Sequence, residues 1–124
     1  MSDKIRLLIA DDDNQMRSLL KKTLLKEGFL VETAANGREA LGLLAAGSHF
    51  DLLITDLRMP EKNGEELLAD VRKTHPDLKV IVITGYSDLS QSLRLLRNGA
   101  FEFIAKPFKI PDLLEVIDRA PLAA

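Results

Sequence analysis

Five short apolar, partly β-branched runs punctuate the chain, at residues 5–10, 30–34, 52–55, 80–84 and 101–105. Between them the apolar residues recur at helical spacing instead. This alternation predicts an α/β domain with a parallel sheet covered on both faces, a doubly wound arrangement. Right-handed crossovers leave few topologies, and the strand order 2-1-3-4-5 is the one expected here.

The first helix is expected over residues 14–27, with Met16, Leu19, Leu20 and Leu24 on one face and Gly28 as a left-handed terminator. The second begins after Asn36-Gly37. That dipeptide alone favours a hairpin, but Ala40, Leu41 and Leu44 continue at helical spacing, and Asn36 with Glu39 resembles a capping box. Gly47 closes it. The third helix begins near Glu65, turns Leu67, Leu68 and Val71 inward, and stops at His75-Pro76. The fourth is expected over residues 88–98, with Leu89, Leu93 and Leu96 inward, Leu95 off that stripe on a flank, and Gly99 at its end. The fifth starts at Pro111, a favoured first-turn residue, and fades by Pro121.

Composition narrows the function classes. The chain has 124 residues, 46% hydrophobic and 29% charged, which suits a single domain over residues 1–124. A net charge of −2 carries no electrostatic footprint for direct nucleic-acid binding. Without cysteine, disulfide frameworks, thiol catalysis and Cys-ligated zinc are excluded. No signal peptide and no membrane-spanning run is evident, so the expected compartment is the cytoplasm.

The chemistry-bearing residues cluster at strand ends. Asp11-Asp12-Asp13 follows the first strand, Asp56 ends the third, Thr84 ends the fourth, and Lys106 follows the fifth. In a parallel sheet these positions share one edge, where ligands bind. Neighbouring carboxylates repel, by about 4 kcal/mol per pair at ~4 Å and an effective dielectric of about 20, so the cluster calls for a cation. An oxygen-only donor set favours Mg²⁺. Asp56 then stands as the nucleophile of an aspartyl phosphate, with Lys106 and the Thr84 hydroxyl directed to phosphoryl oxygens. Taken alone, Asp13 is best read as a helix cap, Phe103 as core, and His49 and His75 as loop residues.

Four segments, in this order and spacing, carry a resemblance to the receiver domain of two-component response regulators, the class that includes the chemotaxis regulator CheY. They are Leu8-Ile-Ala-Asp-Asp-Asp13, Asp56-Leu-Arg-Met-Pro-Glu-Lys-Asn-Gly64, Val82-Ile-Thr-Gly85 and Ala105-Lys-Pro-Phe108. The resemblance implies a flavodoxin-like (βα)5 fold and a phosphorylation-activated switch in a phosphorelay, in most cases bacterial. It makes Asp56 the phospho-acceptor, fed by a phosphohistidine on a sensor histidine kinase or histidine phosphotransfer protein. It assigns Asp12, Asp56 and the main-chain carbonyl of Arg58 as direct Mg²⁺ ligands, Asp11 as a ligand through water, and Thr84 and Lys106 as phosphoryl contacts. A cis Lys106–Pro107 bond is implied.

The same resemblance implies that Thr84 and Phe103 relay the phosphorylated state to the face formed by helix 4, strand 5 and helix 5. A downstream effector or fused output domain would read it there, and homodimerisation on phosphorylation would use the same face. Arg58 and Tyr86 would flank the path of the hydrolytic water, and their bulk predicts slow autodephosphorylation. The protein is expected to catalyse its own phosphorylation and dephosphorylation without being a turnover enzyme. Three other readings compete. A dinucleotide enzyme wants a glycine-rich turn where Asp11-Asp12-Asp13-Asn14 stands. A haloacid-dehalogenase-like phosphatase wants a second acid where Arg58 stands. A constitutive docking module would not need the acceptor, threonine and lysine together.

Overall fold

The computed structural model describes residues 4–47, 49–85 and 89–121, with side chains of the last segment described from residue 91. The elements alternate: β1 (Arg6–Ala10), α1 (Asn14–Lys26), β2 (Leu30–Ala34), α2 (Gly37–Ala45), β3 (Leu52–Asp56), α3 (Gly64–Thr74), β4 (Lys79–Thr84), α4 (Leu89–Arg97), β5 (Glu102–Ala105) and α5 (Ile110–Arg119). All strand pairs are parallel and the order is β2-β1-β3-β4-β5, as the pattern predicts.

Two apolar layers hold the sheet. On one face Leu8, Leu53, Val80 and Val82 pack against Leu44 of α2, Leu67, Leu68 and Val71 of α3, and Leu95 of α4. On the other, Ile9, Ile54, Ile81 and Ile83 meet Leu20 and Leu24 of α1 and Leu113, Val116 and Ile117 of α5. Successive strand residues serve opposite faces, so a strand buried on both sides reads as one apolar run. All five residues of β3 are buried for this reason, the acid at its end included.

The helix ends follow local chemistry. Asp13 caps α1, its Oδ1 accepting from the N–H of Gln15 at 2.9 Å and of Met16 at 3.2 Å. Gly28 adopts φ 96° beyond its end, as expected of a terminator. Asn36 caps α2 through the Glu39 N–H at 2.8 Å, but Glu39 reaches back to the Ala35 N–H at 3.1 Å, one residue short of a true box. The reciprocal box is at α3, between Asn63 and Glu66 at 2.9 and 3.0 Å.

Two inward assignments and one flank assignment need correction. Leu19 is 51% exposed and Leu93 45% exposed, whereas Leu95 is fully buried. The inward stripe of α4 runs through Ser92 and Leu95, and Leu96 is only half-buried. Leucines lie on more than one side of this helix, so spacing alone does not select a face. The small buried Ser92 marks the inward side, and a polar residue gives no apolar signal there. In α1 the Leu20–Leu24 pair points inward, and Leu19 lies about 100° round from Leu20. Of the other expected inward positions, the side chain of Leu89 lies outside the described residues.

Candidate functional site

The register aligns the strand ends at one edge. Ala10 pairs with Thr55, Asp56 with Ile83, and Thr84 with Ala105. The groups at and just after these positions therefore converge, although Lys106 stands fifty residues beyond Asp56 in the chain.

Asp56 is 7% exposed and Asp11 1% exposed, while Asp12 is exposed. Each of the three offers a carboxylate oxygen, and these atoms all lie within 4.8 Å of one another. The Lys106 ammonium donates to Asp56 Oδ2 at 3.0 Å, and the Arg58 N–H approaches Asp56 Oδ1 at 3.4 Å. Lys106 is aimed by its own backbone, whose N–H donates to the Thr84 carbonyl at 2.7 Å, and its bond to Pro107 is cis, as the resemblance implied. Thr84 is buried. The pairing of Val82 with Phe103 and of Thr84 with Ala105 places Thr84 and Phe103 on the same sheet face, the one α4 covers. Phe103 is half-buried and stands outside both apolar layers, so its reading as a core residue is not met. Asp13 caps a helix, and His49 and His75 lie at the opposite end of the strands, outside the site. Arg58 is exposed. Tyr86 lies outside the described residues.

The electrostatics follow from burial. Loss of solvent pushes the Asp11 carboxyl above its ordinary range, with the Asp56 charge adding to the rise and the Asp13 N–H opposing it. Burial works to lower the Lys106 pKa, but the hydrogen bond and charge of Asp56 outweigh it and hold the ammonium above its usual range. Asp11 Oδ1 accepts from the Asp13 N–H at 2.9 Å, whereas Asp11 Oδ2 is buried with no hydrogen-bond partner. A buried carboxylate oxygen left unpaired is costly unless a proton or a cation completes it. The donor set therefore fits a hard divalent cation: oxygen ligands only, one of the carboxylates carrying a buried oxygen without a hydrogen-bond partner.

Some supporting contacts have no sequence signal. The Gly37 N–H donates to the Lys62 carbonyl at 3.2 Å, and Asn36 Nδ2 donates to Glu61 Oε2 at 3.2 Å. The turn before α2 thus grips the loop that follows the acceptor, where Glu61 sits at φ 66°. Gly64 packs its α-carbon against the backbone of Asp56 and Leu57 and donates its N–H to the Leu57 carbonyl at 2.8 Å. Arg17 donates to the carbonyl of Asp11. Glycines and an arginine at these positions are legible in the sequence, but nothing local indicates what they touch.

Residues 7–118 match the family described as Response regulator receiver domain. Among curated proteins, the DNA-binding transcriptional regulator NtrC of Azospirillum brasilense is 37% identical over 114 residues, 92% of this chain and 24% of that protein. The regulatory protein AtoC of Escherichia coli is 36% identical over 115 residues, 93% of this chain and 25% of that protein. The chain thus spans about a quarter of the length of these relatives. Among solved structures, a CheY-like receiver domain protein from Methanospirillum hungatei superposes with TM-score 0.87 at 38% identity, covering 94% of this chain and 92% of that one. The response regulator TrrA from Thermotoga maritima, solved in complex with Mg(2+)-BeF, does so with TM-score 0.83 at 36% identity, covering 93% and 97%.

Proposed function

The chain belongs to the response regulator receiver family, and from that premise we propose that Asp56 is its phospho-acceptor, served by Lys106, Thr84 and an Mg²⁺ site built from Asp11, Asp12 and Asp56. The general function of the family is a phosphorylation switch in two-component signalling. The observation that carries the residue assignment is the Lys106–Asp56 contact at 3.0 Å beside the unpartnered Asp11 Oδ2.

A carboxylate oxygen of Asp56 attacks phosphorus, an acyl phosphate bond forms, and the P–N bond of the donor phosphohistidine breaks. The electron pair leaves with the imidazole, which regains its proton. With acetyl phosphate the leaving group is acetate. Lys106 neutralises a phosphoryl oxygen, and the Thr84 hydroxyl donates to another. Asp11, Asp12, Asp56 and the Arg58 carbonyl would hold Mg²⁺, which when bound offsets the negative charge shared by the carboxylates and the incoming phosphoryl group. The Mg(2+)-BeF complex of TrrA supports this reading.

Phosphorylation draws Thr84 toward the phosphoryl group and lets Phe103 turn inward, on the face α4 covers. The face formed by α4, β5 and α5 then presents a changed surface to an effector, a fused output domain or a second copy. The protein acts on itself and is not a turnover enzyme. The cytoplasm is the setting such a relay requires, and no helix among the described residues is long and apolar enough to cross a membrane.

Intact mass after incubation with acetyl phosphate and Mg²⁺ tests the assignment. One added phosphoryl group is expected, mapped to Asp56 and absent when Mg²⁺ is chelated. No adduct, even with a phosphorylated kinase as donor, defeats it. Replacing Lys106 with Met should slow labelling by roughly 10²-fold or more, the usual cost of losing a charge aimed at a transferring group. A rate within threefold of wild type would remove Lys106 from the chemistry. Replacing Arg58 and Tyr86 together with small residues should speed loss of the phosphoryl group, followed by the decay of the adduct. An unchanged lifetime would show that their bulk does not obstruct water.

A further inference from the structure

The loop from β1 to α1 carries three successive aspartates, and something must hold their backbone in place. Asp13 is already used as the helix cap. Asp11 is tied at its N–H, which donates to the Ala34 carbonyl at 3.1 Å. Its own carbonyl has left the sheet and precedes the helix, so neither ladder satisfies it. Arg17 does. This half-buried residue, one turn into α1, donates from one guanidinium nitrogen to the Asp11 carbonyl at 2.8 Å. Its other nitrogen donates to the side chain of Asn14, the first residue of the helix. The fork thus bridges the two ends of the aspartate loop, the use for which a planar guanidinium is suited and an ammonium is not.

We propose that Arg17 is a positioning residue for the cation site, holding the Asp11–Asp12 backbone in the conformation that presents both carboxylates beside Asp56. The inference rests on the Mg²⁺ reading of that cluster. It does not follow from charge. A cation so close to a metal site repels the metal, so removing it should tighten Mg²⁺ binding if charge were all that mattered. Removing a residue that organises ligands should weaken binding, because the loop must then be ordered when the ion arrives. The two effects have opposite signs.

The experiment is calorimetric titration of wild type, Arg17→Gln and Arg17→Lys with Mg²⁺, paired with acetyl phosphate labelling across Mg²⁺ concentration. Arg17→Gln should raise the Mg²⁺ Kd about tenfold, the lower end of the range for residues that orient metal ligands. Labelling at saturating Mg²⁺ should stay within about twofold of wild type, because the reacting groups are untouched. Arg17→Lys keeps the charge but only one donor nitrogen and should fall between the two. An Arg17→Gln Kd equal to or below that of wild type overturns the proposal. So does a labelling defect that saturating Mg²⁺ does not restore, which would mark general damage to the loop. If wild type itself takes up no Mg²⁺, the cation site fails and this inference with it, a result distinct from a variant that merely matches a binding wild type.

Discussion

Asp56→Asn takes up no phosphoryl group from acetyl phosphate under conditions that label the wild type. The amide is nearly isosteric with the carboxylate but lacks the anionic oxygen that attacks phosphorus, so the loss is complete rather than graded. The substitution also leaves two acids where three shared one oxygen cluster, and weaker Mg²⁺ binding should accompany it. The fold should survive. The variant would lose the ion pair between Asp56 and Lys106, whose lysine is about a third exposed, a pair worth at most ~1 kcal/mol after solvent screening. In exchange, the repulsion that helps push Asp11 upward is relieved. The net change in unfolding free energy should be within about 1 kcal/mol, checked by urea denaturation. Labelling of a folded Asp56→Asn protein at the wild-type rate would place the acceptor elsewhere.

Gly64→Ala should destabilise the domain by about 3 kcal/mol, a fall in melting midpoint of roughly 10 °C. A β-carbon at Gly64 would stand 2.4 Å from the Asp56 carbonyl oxygen and 2.9 Å from the Leu57 α-carbon. Both are backbone atoms, which cannot swing aside as a side chain can. Relief requires either that α3 withdraw or that the loop after Asp56 shift. The second route also stretches the 2.8 Å bond from the Gly64 N–H to the Leu57 carbonyl. The acceptor should therefore label more slowly in whatever fraction remains folded. The contrast is Gly42→Ala in the middle of α2, where a β-carbon meets nothing within 4 Å. There the added methyl removes the entropic penalty of helical glycine and should stabilise by about 0.5–1 kcal/mol. One substitution type thus gives opposite signs at two sites. A Gly64→Ala protein that melts like wild type would mean that α3 sits more loosely on the acceptor loop than the structure shows.

Much of the architecture was readable because its determinants are short-range. Strand runs bounded by polar residues, helical spacing between them, and glycines at 28, 47 and 99 with positive φ each depend on a few neighbours. The acids, threonine and lysine could be placed at one sheet edge by the same logic, since a parallel sheet ends all its strands on one side. Where local pattern was ambiguous it misled. In α4 the leucines at 89, 93 and 96 form a credible inward stripe, yet among the described side chains Leu95 is the buried leucine and Leu93 faces outward. The α2 capping box is offset by one residue, while the reciprocal box at Asn63 and Glu66 lies ahead of the start near Glu65 that the spacing predicts.

By itself the sequence determined the element order, the parallel α/β class and the identity of the groups at the strand ends, since residue type and period act over a few positions. Only the tertiary structure decided which of those groups touch. Lys106 meets Asp56 across fifty residues of chain, Gly37 meets Lys62, and Gly64 is pressed against the acceptor backbone. Such contacts depend on register and on the depth at which each helix settles on the sheet. Those are set by the packing of all the side chains together, which no local pattern encodes.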